Sequence, residues 1–254
     1  MQAKITGTTM PVLQIDLDAN DRIVAEPGEF SWMTGGVQMR TTALTAGAKG
    51  IFGAIGRALS GGGLFMTEYT APTGGVIAFA AKLPGSIVPI EVAAGSSYMI
   101  HRHGFLCGTE GVTLSTGLQR SLGAGIFGGD GFVLQKLSGP CTAWVELGGE
   151  VMNYDLTPGE TLLVHPGHVG MFEASVNFDL TMMRGFTNAI FGGDGLFIAR
   201  LTGPGKVWLQ TLTVPNLAHA LSPYLGREGG GSMQSGAAGG IAGAVLKDIF
   251  SGNR

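Results

Sequence analysis

One stretch of the chain occurs twice almost unchanged. Ile126-Phe-Gly-Gly-Asp-Gly-Phe-Val-Leu-Gln-Lys-Leu-Ser-Gly-Pro-Cys-Thr-Ala-Trp144 returns as Ile190-Phe-Gly-Gly-Asp-Gly-Leu-Phe-Ile-Ala-Arg-Leu-Thr-Gly-Pro-Gly-Lys-Val-Trp208, at an offset of 64 residues. A looser copy stands upstream in Ile51-Phe52-Gly53 and, after a Gly-rich insertion, Gly63-Leu64-Phe65. Self-similarity at such a period means that one supersecondary unit is used several times. The repeat must therefore be laid out before any residue is given chemistry.

Each copy ends in two alternating runs: 64–70 then 75–81, 132–137 then 142–147, and 196–201 then 206–212. Period-two alternation predicts half-buried strands. Between the later runs stand Ser138-Gly-Pro-Cys141 and Thr202-Gly-Pro-Gly205, which predict hairpin turns because Pro fixes φ and Gly supplies φ > 0. An upstream turn recurs at Gly95 and Gly159, and Glu26-Pro27-Gly28-Glu29 matches it in repeat one. Nothing before residue 216 carries helical periodicity of useful length. The expectation is an all-β fold, a compact unit over 1–216 made of three β-sandwich repeats at about 11–90, 91–153 and 154–216. A flexible Gly-rich tail follows over 217–254, with short-helix patterns at 217–225 and 241–250.

Charged residues make up 13% of the chain against 44% hydrophobic. A chain of 254 residues with so little charge is expected to cover apolar surface with another subunit, so a homo-oligomer is expected. The net charge of −3 and the lack of a Lys/Arg cluster argue against a nucleic-acid partner. Cys107 and Cys141 make no disulfide framework and fit a reducing compartment. The N-terminus lacks the apolar core of a signal peptide, and no run reaches the length of a membrane span. The chain is expected to be soluble and cytoplasmic.

Over residues 190–210, in the Pro-Gly-Glu turns, in His103-Gly-Phe-Leu-Cys107 and in the Gly-rich tail, the chain resembles the altered inheritance of mitochondria 24 family. The resemblance covers roughly 5–215. It implies a fold like the tryptophan RNA-binding attenuation protein, a short double-stranded β-helix repeated within one chain, and it implies homo-oligomers. It brings no catalytic residues. Mitochondrial relatives imply a link to membrane-complex organisation, for which the tail would be the peripheral contact; the chain itself has the character of a bacterial-type member.

The sharpest chemical candidate is His101-x-His103. Residues i and i+2 share one side of a strand, and two imidazoles there could ligate a metal. Gly95-x5-His101-x-His103, followed by Glu110 and Gly117, resembles the first cupin motif, although six residues separate His103 from Glu110. His165-Pro-Gly-His168 occupies the corresponding place one repeat later, which speaks against a single metal site. The competing expectation to a scaffold is thus a cupin-like metalloenzyme built on His101, His103 and either Glu110 or His168.

Other motifs carry less. Gly123-Ala-Gly125-Ile-Phe-Gly128 has the letters of a dinucleotide fingerprint, but no β-α-β unit surrounds it. Asp130 and Asp194, each set among glycines, are explained by bonding to their own turn backbone. Trp144 and Trp208 are expected in a core or an interface. Ser115 and Ser121 have no nucleophile-elbow context. No catalytic or cofactor-binding residue is assigned. The sequence leads to a non-enzymatic, self-associating β-sandwich protein that acts as a scaffold or binding module.

Overall fold

Alternation sets the strands. In β2 (Val12–Leu17) the side chains of Leu13, Ile15 and Leu17 are buried while Asp16 is exposed. The protein is described from a computed structural model, which defines residues 1–44, 64–120, 132–183, 196–222 and 224. About 62% of it is strand, with almost no helix, so the all-β class holds.

After β1 (Gln2–Thr6), which lies antiparallel on β2, the strands of the described residues fall into three sets of six. The first is β2, β3 (Asp21–Ala25), β4 (Trp32–Met33), β5 (Gln38–Leu44), β6 (Leu64–Ala71) and β7 (Gly75–Ala80). The second is β8 (Gly85–Val92), β9 (Ser97–His101), β10 (Phe105–Thr109), β11 (Thr113–Arg120), β12 (Phe132–Ser138) and β13 (Cys141–Gly148). The third is β14 (Val151–Leu156), β15 (Thr161–Val164), β16 (Val169–Glu173), β17 (Asn177–Met183), β18 (Leu196–Thr202) and β19 (Gly205–Gln210).

Within each set the antiparallel pairings are the same. The first strand pairs with the sixth, in β2–β7, β8–β13 and β14–β19. The second pairs with the fifth, in β3–β6, β9–β12 and β15–β18. The fourth also pairs with the fifth, and the third with the sixth. Two further pairings join the sets: β10 of the second lies on β3 of the first, and β16 of the third lies on β9 of the second.

Four sheets result, ordered β1-β2-β7-β4, β5-β6-β3-β10-β13-β8, β11-β12-β9-β16-β19-β14 and β15-β18-β17. Three apolar cores run through them in series. Leu13, Ile15, Ile77 and Phe79 of the first sheet pack with Tyr69, Leu106 and Trp144 of the second. Val145 and Leu147 of the second pack with Ile100, Leu137 and Met171 of the third. Leu134, Phe172 and Val207 of the third pack with Ala199 and Leu201 of the fourth. Burying one such side chain stabilises the fold by about 1.5–3 kcal/mol.

The register corrects two sequence expectations. The alternating runs that flank the Gly-Pro turns are not hairpins: β12 and β13 lie in different sheets, as do β6 and β7, and β18 and β19. Both edges of β12 are already taken, by β11 and β9, so the Ser138–Cys141 turn carries the chain across the sandwich instead. Gly28, moreover, does not match Gly95 and Gly159. Asn20 holds the left-handed conformation there, at φ 69° against 81° and 82°, which Asn tolerates best after Gly.

The helix expected near 217–225 forms earlier, as α1 (Val214–Leu221). Thr213 Oγ1 accepts from Asn216 N, and Pro215 in the first turn suits a helix start. The Ile-Phe-Gly-Gly-Asp-Gly copies at 126–131 and 190–195, with Asp130 and Asp194, lie outside the described residues, as does the tail beyond 224. No helix among the described residues is long and apolar enough to cross a membrane.

Candidate functional site

The polar chemistry gathers where the chain turns from the second strand of a set to the third. The pairings put Glu26, His101 and His165 at one position, directly after Ala25, Ile100 and Val164. Three residues on, Glu29, Gly104 and His168 share another.

In the second set the His101 ring reaches the backbone oxygen of Glu146, 2.9 Å from Nε2. A carbonyl can only accept, so Nε2 carries the proton. Burial holds the imidazole below its ordinary pKa, which keeps the ring neutral. Gly104 makes room for it: a Cβ there would lie 2.8 Å from both Cδ2 and Nε2 of the ring.

In the third set His168 stands at the Gly104 position, inside a short 3₁₀ turn over Pro166–His168. Its Nδ1 donates to the carbonyl oxygen of Gln210 at 2.8 Å. His165 meets His168 edge-on, with ring centroids 5.8 Å apart. Burial lowers the pKa of His165, and its neighbour His168 lowers it further.

The first set replaces both histidines by glutamates. Gln135 Nε2 donates to Glu26 Oε1 at 2.8 Å, and Lys82 Nζ donates to Glu29, whose side chain is 4% exposed. Burial raises the pKa of both carboxyls, that of Glu29 to about 6, with Lys82 pulling it down and Glu26 and Glu146 pushing it up. Gln135 Oε1 is buried with no hydrogen-bond partner among the described residues.

Glu146 and Gln210 link the sets. Glu146 Oε1 accepts from the backbone N–H of Lys82 at 2.8 Å and of Leu83 at 3.1 Å. Gln210 Oε1 accepts from Gly148 N at 2.9 Å, and its amide donates to Gly167 O at 3.0 Å. Both side chains thus fasten the chain where one set passes into the next.

The residues proposed for a metal are not gathered. The strand ends at His101, and His103 lies in the following turn at φ 64°, exposed, so it does not share a strand face with His101. Glu110 is at the exposed turn after β10, 3.7 Å from Arg22 Nη1. Among the described residues no three His, Cys, Asp or Glu side chains form a group that could hold a metal ion.

The remaining candidates are two strand edges. Trp32 on β4 is 51% exposed and Leu163 on β15 is 60% exposed. Their counterparts within the chain are less exposed: Cys107 and Met171 match Trp32 and are at 0%, while Val24 at 8% and the half-buried Met99 match Leu163. Sequence reasoning passed over Trp32, Glu26, Glu29, Lys82, Gln135 and Glu146. The misplaced Gly28 hid the equivalence of Glu26 with His101, and no periodicity marks a lone exposed Trp.

The family model described as mitochondrial biogenesis AIM24 matches residues 3–212. An uncharacterized protein of Streptococcus pyogenes serotype M6 is 26% identical over 219 residues, spanning 85% of this chain and 87% of that protein. An X-ray structure of another Streptococcus pyogenes protein superimposes with a TM-score of 0.70 at 24% identity, over 88% of this chain and 99% of that one. That likeness speaks for the fold.

Proposed function

The chain belongs to the mitochondrial biogenesis AIM24 family, and from that premise we propose that it is a non-enzymatic, cytoplasmic, self-associating protein that serves as a scaffold or binding module. The observation that carries this reading is the exposure of large apolar side chains at strand edges, Trp32 and Leu163, on a chain with only 13% charged residues. A strand edge that carries an exposed apolar side chain is a template for pairing with another chain. The sets of strands that share sheets support the arrangement like the tryptophan RNA-binding attenuation protein that the resemblance implies. Two free cysteines, Cys107 and Cys141, support a reducing compartment.

The polar corners support a structural role. His101 Nε2 and His168 Nδ1 each donate to a backbone carbonyl, and the side-chain oxygens of Glu146 and Gln210 accept from backbone N–H groups. Groups satisfied in this way fasten the fold and are not offered to a substrate. The test is the mass of the purified protein by light scattering across a concentration series. A mass above that of one 26.1 kDa chain is expected; a single-chain mass throughout ends the reading.

A further inference from the structure

The pairing rules of this chain specify what is missing at its two ends. Both six-stranded sheets have one order: fourth, fifth and second strands of one set, then third, sixth and first strands of the next. The two end sheets are the halves of that order. β15-β18-β17 supplies the second, fifth and fourth strands of the third set, and β2-β7-β4 supplies the first, sixth and third strands of the first set.

Laid side by side, they give β17-β18-β15-β4-β7-β2, the same sequence of positions as β5-β6-β3-β10-β13-β8. Within one chain the halves remain separate sheets, at opposite ends of a series of three cores.

We propose that β15 of one copy pairs antiparallel with β4 of a second copy, head to tail, and completes between chains a sheet with the same order of six positions, to which β1 adds a seventh strand at the outer edge. The inference rests on the self-association reading above and names its surface. The internal junctions fix the register. Cys107 lies opposite Ala25 and Gly108 opposite Val24 in one; Met171 lies opposite Ile100 and Phe172 opposite Met99 in the other. By equivalence Trp32 lies opposite Val164, Met33 opposite Leu163 and Thr34 opposite Leu162.

The side chains agree with this register. In the internal junctions the third-strand residue is drawn into the core of the preceding set: Cys107 joins the first core and Met171 the second. Trp32 holds that position with no preceding set to enter, and is half exposed. Val24 likewise joins the core of the following set, and its counterpart Leu163 has none to join. An unpaired strand edge with an apolar side chain beside it is a template for strand addition. Because the two edges differ, the contact is heterologous and propagates to a ring or a filament.

A mixing experiment tests this. Trp32→Lys blocks one edge and Leu163→Lys the other, and both positions are exposed, so the fold should persist by circular dichroism. Each variant alone is expected at the mass of one chain. An equimolar mixture is expected at the mass of two, because each variant retains the edge that the other needs. Should either variant prove unfolded, single cysteines serve in a Cys141→Ser background: Met33→Cys and Leu163→Cys chains are expected to form a disulfide-linked dimer only when mixed.

A wild type that is monomeric removes the self-association reading itself. A wild type that associates but ignores both lysines, or variants that stay apart on mixing, overturns the edge assignment alone. So does a cysteine dimer formed by one variant without the other.

Discussion

His101 and His168 donate to backbone carbonyls 64 residues apart, those of Glu146 and Gln210, from positions that do not correspond. His101 closes β9, while His168 stands where the second set has Gly104. What recurs is the acceptor, not the residue that serves it. A buried carbonyl without a donor would cost on the order of 1–3 kcal/mol, so the second and third sets each supply an imidazole, by different routes.

Gly104→Ala should therefore destabilise the protein by about 1–3 kcal/mol, because the new Cβ takes the space of the His101 ring. In a His101→Ala background the same change should cost clearly less. Denaturant titration of the two single variants and the double variant reads the coupling; strictly additive costs would mean that the ring and the Cβ do not compete.

Glu146 should tolerate Gln far better than Ala. Glutamine keeps an oxygen for the N–H groups of Lys82 and Leu83, as Gln210 already does for Gly148. Alanine leaves two partly buried donors without this acceptor, for about 1–2 kcal/mol. Equal losses in thermal unfolding would show that the carboxylate charge, not the hydrogen bonds, is what counts.

Stability should respond to pH with two opposed arms. Burial raises the Glu29 pKa to about 6, so between the ordinary carboxylate value and 6 the folded state binds more protons than the unfolded chain. Stability then falls as pH rises through that window. His101 is shifted the other way, its folded pKa held below the ordinary histidine value, so its contribution is present above about 6.5 and lost as pH falls below it. The groups facing Glu29 are Lys82, Glu26 and Glu146. In Glu29→Gln the first arm should flatten while the second persists, as measured by unfolding midpoints between pH 4 and 8.

Cys141 should be a slow thiol. Its pKa is pushed up to about 11 by burial and by Glu91. At pH 8 the reactive thiolate is thus much scarcer than for an ordinary thiol. Labelling of the native protein should be slow for Cys141 and slower for the buried Cys107, with both reacting at once on unfolding. Fast native labelling of one thiol would contradict this.

The sequence carried the all-β class because alternation survives wherever one strand face is buried, as in Leu13, Ile15 and Leu17. Pairing partners were harder to see. A Gly-Pro turn between two alternating runs has the same letters whether it closes a hairpin or crosses a sandwich, and only the occupied edges of β12 decide. Gly28 stands in for the counterpart of Gly95 and Gly159 in the sequence because at the true counterpart, Asn20, a residue other than glycine holds the left-handed conformation. The corners were opaque for a related reason. Glu26 and Glu29 occupy the positions of His101 and Gly104, and such a change of chemistry leaves no trace in spacing.

Sheets shared between sets also bear on how a chain of this kind can change length. Viewed as a short polymer, it has end groups, β4 and β15, and every internal link uses one of each kind. Dividing the chain between β13 and β14 would strip β16 from β9 and double the number of end groups from one pair to two. Inserting a further set of six strands would leave one pair. Lengthening by whole sets therefore adds no end group of either kind, while shortening by scission always does, and tandem duplication is the change that this architecture absorbs most readily.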